Sequence, residues 1–252
     1  MIIDVHVHLG IDHTFDEDFK KELLIEKMNR YNVDVQIVQP GTCFDLKTVS
    51  GQHNAIADLC REYPGRFFGL ANPGPHLEGG AYEDEIARCV EELGFIGIKL
   101  HPLASGVDPS SKAGRRAFDA ARRYKIPVMV HTGSGVPFAD PVRLIKLADE
   151  YRDVKIIMAH CGMLVFASNA GHVFASCRNV YGDTSWVPGF LLREWVRSYG
   201  PRLMLASDLA ENMGTELAKI RTYGFTEEEQ ELILGKTAFE VFNLQDRITS
   251  TS

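Results

Sequence analysis

Five of the nine histidines in this chain of 252 residues stand within or at the end of short apolar runs. The first run, Ile2-Ile3-Asp4-Val5-His6-Val7-His8, carries two imidazoles at alternate positions. Alternate residues of a strand point to the same side, so His6 and His8 are expected to face one space together. Neutral imidazole is a good ligand for zinc and neighbouring divalent metals. Two surface histidines on an edge strand are the plainer alternative, but Ile2, Ile3, Val5, Val7 and Leu9 around them argue for burial. Other runs stop in the same way. One ends Gly97-Ile98-Lys99-Leu100-His101-Pro102, the next Val128-Met129-Val130-His131, the next Ile157-Met158-Ala159-His160-Cys161-Gly162, and the last Leu205-Ala206-Ser207-Asp208. A lone histidine after a strand is more often a satisfied structural residue, and Lys99 inside a sheet is costly unless it is paired, neutral or modified. Five such strand ends in one chain point instead to a shared site.

Eight apolar segments can carry these residues: 2–8, 33–39, 66–72, 95–101, 127–132, 154–160, 179–184 and 202–207. They read as strands covered on both faces. Helical spacing fills the gaps, as in Ile56, Leu59, Cys60 and Tyr63, and in Ala117, Ala120, Ala121 and Tyr124. Asp140-Pro141 reads as the start of a helix through Leu144, Ile145 and Ala148, and Thr226 to Glu229 as a capping box. The fold class expected is α/β, a single-domain (β/α)8 barrel over residues 1–252 with the site at the C-terminal ends of its strands. No GxGxxG follows a strand, which disfavours the doubly wound alternative. Residues 41–50 and 103–112 read as the longest polar loops at the mouth, and 249–252 as a frayed tail.

Composition narrows the function. The hydrophobic share is 45%, the formal net charge −7 and the pI about 5.7. That balance argues against nucleic-acid and anionic-membrane surfaces. No apolar run is long enough to span a bilayer, and no signal peptide is expected. Five scattered cysteines without a CxxC suit a reducing cytoplasm.

Taken together, Asp4-Val5-His6-Val7-His8, Gly97-Ile98-Lys99-Leu100-His101-Pro102, His131, His160-Cys161-Gly162 and Ser207-Asp208 resemble the amidohydrolase superfamily, and most nearly its amidohydrolase 2 branch of compact TIM-barrel enzymes. Tyr63-Pro64-Gly65-Arg66-Phe67 and the closing helix through Ala238, Phe239 and Phe242 extend the resemblance over nearly the whole chain. It implies that His6, His8, His131 and Asp208 ligate a divalent metal, zinc or manganese, and that Asp208 takes a proton from the water held there. His160 would be a base and electrophile, or a ligand to a second metal. Lys99 matches the lysine that dihydroorotase-like relatives carboxylate to bridge two metals. In one-metal members that position serves the substrate instead, so one or two ions are open, with one favoured. His101 would bind substrate or metal, or serve only as a hydrogen-bonded loop histidine. Two departures lie beside these residues: Ala206-Ser207-Asp208-Leu209-Ala210 where the family often has Gly-Ser-Asp-x-Pro, and Thr237 where it often has Asn.

The function implied is hydrolysis of an amide, lactone or related ester of a small molecule, with a homodimer as the default assembly. Non-oxidative decarboxylation of an aromatic or unsaturated acid is the alternative, and a non-catalytic metal-binding barrel the third. Among the remaining residues, Asp4 is expected to face the interior two positions before His6, and Cys161 to be a packing residue. Trp186, Phe15, Phe44 and Phe138 are candidate pocket walls, and Arg143 and Arg193 candidate anion contacts. His13 could line the pocket, with His53, His76 and His172 expected in solvent.

Overall fold

The computed structural model describes residues 1–248; the tail expected to fray lies outside them. One sheet of nine strands organises the chain, in the order β2-β1-β3-β4-β5-β6-β7-β8-β9. These strands are β1 (Ile3–Asp12), β2 (Glu17–Phe19), β3 (Val35–Pro40), β4 (Phe67–Ala71), β5 (Gly97–Leu100), β6 (Val128–His131), β7 (Ile156–Ala159), β8 (Val180–Asp183) and β9 (Leu203–Met204). Every pairing from β1 and β3 onward is parallel. The eight expected segments each contain one parallel strand. The ninth, β2, folds back antiparallel on an extended β1. Its residues Glu17-Asp18-Phe19 are two acids and one aromatic, too short and too polar to register as an apolar run.

β1 also lies beside the segment that follows β9. Val5 N–H donates to Leu205 O (3.0 Å), Asp208 N–H donates to His6 O (2.7 Å), and Val7 forms an isolated parallel bridge to Asp208. Helices cover the outer face. They include α1 (Lys21–Arg30), α2 (Leu46–Glu62), α3 (Ala81–Ala87), α4 (Pro102–Ser105), α5 (Lys112–Tyr124), α6 (Arg143–Glu150), α7 (Ala167–Ser176), α8 (Gly189–Tyr199) and α9 (Met213–Thr222). Two polar loops expected at the mouth are partly helical: α2 begins at Leu46, where Asp45 caps Thr48 N–H (2.8 Å), and α4 takes up residues 102–105. The helix expected to open at Asp140 starts at Arg143; Asp140 still accepts Val142 N–H, across the intervening turn. The capping box from Thr226 to Glu229 forms with both bonds in place. No helix among the described residues is long and apolar enough to cross a membrane.

Alternation along the strands splits the core in two, as a curled sheet requires. Ile3, Val5, Val35, Ile37, Leu70, Met129, Ile157 and Met204 pack inside. Val7, Leu9, Val38, Ile98, Val130, Met158 and Leu205 pack outward against helices. In β1 the inward phase changes. The register with β3 slips by one residue between Asp4 and Val7, a bulge-like irregularity. Asp4 therefore does not share the side of His6. It lies in the outward phase, buried, where it accepts Ser207 N–H (3.0 Å), Ser207 Oγ–H (2.7 Å) and the Gln36 amide (3.3 Å). The expectation that Asp4 faces the interior assumed unbroken alternation; the extra residue is what turns His6 and His8 inward instead.

Candidate metal centre

At the C-terminal ends of the strands the inward positions turn polar. Past Ile37 stands Gln39, past Lys99 stands His101, past Met129 stands His131, and past Tyr181 stands Asp183, all buried. Four further residues arrive by left-handed backbone: Ser134 (φ 58°), His160 (φ 64°), Trp186 (φ 62°) and Asp208 (φ 65°). Bulky side chains rarely adopt that region, and such strain gathers at functional sites.

The centre is a triangle of lone pairs. His6 Nε2 lies 3.2 Å from His8 Nε2, and Asp208 Oδ1 lies 3.1 Å from the first and 3.3 Å from the second. The other ring nitrogens fix the tautomers. His6 Nδ1 donates to Asp183 Oδ2 (2.7 Å) and His8 Nδ1 to Pro40 O (3.2 Å). Both Nε2 atoms are then acceptors, His8 Nε2 within reach of the Gln39 amide (3.3 Å) and His6 Nε2 of the Lys99 ammonium, and both are aimed at a third acceptor. Three converging acceptors repel unless a cation joins them, so the residues present fit a metal ion. The Lys99 ammonium is the one cation already there, its Nζ 3.0 Å from His6 Nε2. His160 belongs to the same cluster, since ligand atoms of His6, His160 and Asp208 lie within 4.8 Å of one another.

His131 stands one step away. Its Nδ1 is 3.2 Å from His160 Nε2, its Nε2 is 3.3 Å from Ser134 Oγ, and its ring stacks on His101 at 4.0 Å. His101 accepts Ala104 N–H through Nδ1 (3.2 Å), capping α4, and borders the cavity. Thus the structure gathers His6, His8, Lys99, His160 and Asp208 directly, with His131 beside His160 and His101 stacked on His131, both bordering the cavity.

Burial sets the charges. It pushes His6, His101 and His131 well below the ordinary imidazole range, with the Lys99 charge adding to the effect, and brings His160 down to about 4. Neutral rings are what a metal requires. Burial alone would raise the Asp208 carboxyl, but positive charge on the facing imidazoles of His160, His6 and His8, when they carry it, favours its ionised form, and it lies well below the usual carboxylate range. Lys99 is lowered by burial to about 8, with Asp208 and Asp183 opposing.

Asp183 escaped the sequence reading. It is fully buried, holds His6 through Oδ2, and accepts His160 N–H (2.8 Å) and Ser185 Oγ–H (2.7 Å) through Oδ1. The signal was available: Gly182-Asp183-Thr184 is a polar strand end like the others. Asp12, also missed, is buried but spent on the turn after β1, accepting Thr14 N–H, Phe15 N–H and both Thr42 donors.

A cavity of about 270 Å³ opens over the centre, walled by Phe15, Phe19, Met163, Trp186 and Leu209. Trp186 does more than wall it, because its indole N–H donates to Asp208 Oδ2 (2.7 Å). Phe44 and Phe138 do not line this cavity. His13 is exposed and stacks near Phe44, Arg143 pairs with Asp108 (3.2 Å), and Arg193 reaches Tyr223 O (3.3 Å). His76 and His172 are exposed as expected. His53 is not: it is fully buried, donating Nδ1–H to Glu85 (2.6 Å) and accepting Asn72 N–H (3.0 Å). Its helical position on α2 faces the sheet, which spacing alone did not reveal. Cys161 is a buried packing residue whose thiol burial pushes well above its ordinary value.

A family model described as amidohydrolase matches residues 3–244. No curated protein matches the chain. Solved structures similar to it include 5-carboxyvanillate decarboxylase from Novosphingobium aromaticivorans, complexed with manganese and a nitrobenzoic acid (16% identity, 97% of this chain and 96% of that one, TM-score 0.78). Another is 2,6-dihydroxybenzoate decarboxylase from Rhizobium (17%, 96% and 98%, TM-score 0.75). A third is a probable 2-pyrone-4,6-dicarboxylic acid hydrolase from Acinetobacter baumannii with citric acid bound (14%, 96% and 99%, TM-score 0.69). At these identities the likeness is one of fold.

Proposed function

This chain belongs to the amidohydrolase family, whose members are metal-dependent enzymes, and we propose that it hydrolyses an amide, lactone or related ester of a small molecule at the His6–His8–Asp208 centre. The observation that carries the reading is the triangle formed by His6 Nε2, His8 Nε2 and Asp208 Oδ1, each within 3.3 Å of the others. His6, His8 and Asp208 would hold the ion, with His160 beside them and His131 in reserve behind it. A divalent metal, zinc or manganese, polarises a bound carbonyl and lowers the pKa of water to about 7. Asp208, ionised and aimed by Trp186, accepts the proton of the attacking water. His101, whose Nδ1 accepts Ala104 N–H, borders the cavity and can donate its Nε2–H to developing negative charge on a substrate, while His160, its Nδ1–H spent on Ser185 Oγ, presents an acceptor Nε2. Phe15, Phe19 and Met163 exclude bulk water, which strengthens each of these interactions.

One ion is the favoured count. The Lys99 ammonium against His6 Nε2 repels a second cation, and only its carboxylation would reverse that. We propose further that the sheet closes into a (β/α)8 barrel forming one domain, which the bonds from Val5 to Leu205 and from Asp208 to His6 support. Five free thiols support a reducing compartment, the cytoplasm.

Non-oxidative decarboxylation of an aromatic acid is the second reading. The aromatic walls of the cavity favour it, as do the two neighbours that are decarboxylases. Both readings are tested by incubating zinc- and manganese-loaded protein with panels of amides, lactones, esters and aromatic acids. Hydrolysis consumes water and yields an acid; decarboxylation releases carbon dioxide without consuming water. No turnover of either kind with protein of verified metal content would refute both.

A further inference from the structure

Trp186 occupies a place in its turn where tryptophan is expensive. Val187 N–H bonds to Thr184 O (3.3 Å), which makes 184–187 a tight turn with Trp186 at its third position. Its φ of 62° is the conformation that favours glycine there. The surroundings force it. From α9, Lys219 Nζ donates to Thr184 O (2.9 Å) and Val187 O (2.8 Å), clamping both ends of the turn. Glu216, one helical turn earlier, accepts Trp186 N–H (3.2 Å) and pairs with Lys219 (2.7 Å). Asn212 bonds to the same Glu216 oxygen (3.3 Å). Glu216 is buried to 1% exposure, so the brace is built rather than incidental. What the forced turn achieves is the indole N–H on Asp208 Oδ2, while Asp208 Oδ1 faces His6 and His8.

We infer that Trp186 is a positioning residue for Asp208, and that the Glu216–Lys219 brace on α9 exists to hold it there. The inference rests on reading Asp208 as ligand and proton acceptor, and adds what orients it. With one oxygen tied to the indole, the carboxylate cannot rotate away from the imidazoles. A purely structural tryptophan would need neither the strained turn nor a hydrogen bond at the mouth of the cavity, where it remains 44% exposed.

Three variants test this. Trp186→Phe keeps the ring and removes the donor. Trp186→Gly relieves the turn and removes the side chain. Lys219→Met releases the clamp. Trp186→Phe is expected to weaken zinc or manganese affinity by about tenfold, as loss of a partner to a ligand does. It should lower kcat at least as much with KM little changed. Trp186→Gly is expected to melt no lower than the wild type and still show both losses. Lys219→Met should show them in weaker form, and not additively with Trp186→Phe. A readout without metal separates this inference from the proposed function. The chain has two tryptophans, and the other, Trp195, is buried against Phe174. In metal-free protein, Asp208→Asn should shift the emission of wild type and leave Trp186→Phe unmoved. Unchanged emission in the first case, or folded Trp186→Phe and Trp186→Gly proteins within twofold of wild type in metal affinity and kcat, would overturn the inference.

Discussion

Asp183 joins His6 to His160: its one oxygen fixes the tautomer of His6 and its other fixes the backbone of His160. Replacing it by Asn keeps the shape but offers His6 Nδ1 an amide in place of a carboxylate. Asp183→Asn is expected to weaken metal affinity by about 10- to 100-fold, measured by competition with a chelating dye. Asp208→Asn should lower kcat by about 10²- to 10⁴-fold, the span of general-base contributions, without loss of folded signal in circular dichroism. At this scale the histidines were readable because each stands in or closes an apolar run, although the slip in β1 and the left-handed backbone at His160, rather than unbroken alternation, turn three of them inward. Asp183 obeyed the same rule. The bond from Trp186 to Asp208 did not, because both side chains are aimed by left-handed backbone that no local residue type announces.

Between elements, two buried polar groups carry much of the order. Asp4 ties β1 to the segment after β9 by accepting three donors from Ser207 and Gln36. Asp4→Ala strands those donors in the core. The expected cost is about 3 kcal/mol in urea unfolding, the upper range for buried groups left unpaired. The pair of His53 on α2 and Glu85 on α3 sets an acid limit. Burial would raise Glu85, but hydrogen bonds from His53 and Arg88 hold it down at about 2. Burial lowers His53, and the N–H of Asn72 on Nε2 requires that nitrogen bare. Both folded pKa values lie below their unfolded ones, so both contributions are complete at high pH. The His53 part is lost as pH falls below about 6.5, and the Glu85 part between about 4.5 and 2. Raised carboxyl pKa values at Asp4 and Glu216, both about 7, act in the opposite sense between pH 7 and pH 4, so the pair's part is read as a difference: from pH 7 to pH 4 wild type should lose more, or gain less, unfolding free energy than His53→Gln. The sequence placed the strands because apolar runs are long-range facts of composition. It did not place the slip in β1 or the direction of His53, which depend on how neighbouring elements pack.

For the molecule as a whole, alternation of strand and helix was enough to expect an α/β fold with parallel strands, and the sheet follows it. The antiparallel β2 hairpin is the addition, and it brings Phe19 and Glu17 to the rim of the cavity. If the site holds a metal, folding and binding are linked. At a metal concentration a hundred times the dissociation constant, the folded state gains about 2.7 kcal/mol. Chelator treatment should then lower the melting temperature, and zinc or manganese should restore it. The most direct test of the central claim is metal content per chain, by plasma mass spectrometry of protein purified without added metal and then reloaded. One divalent ion per chain is expected in the wild type and none in the folded double variant His6→Ala/His8→Ala. A wild type that takes up no stoichiometric metal, or a double variant that keeps it, would contradict the account.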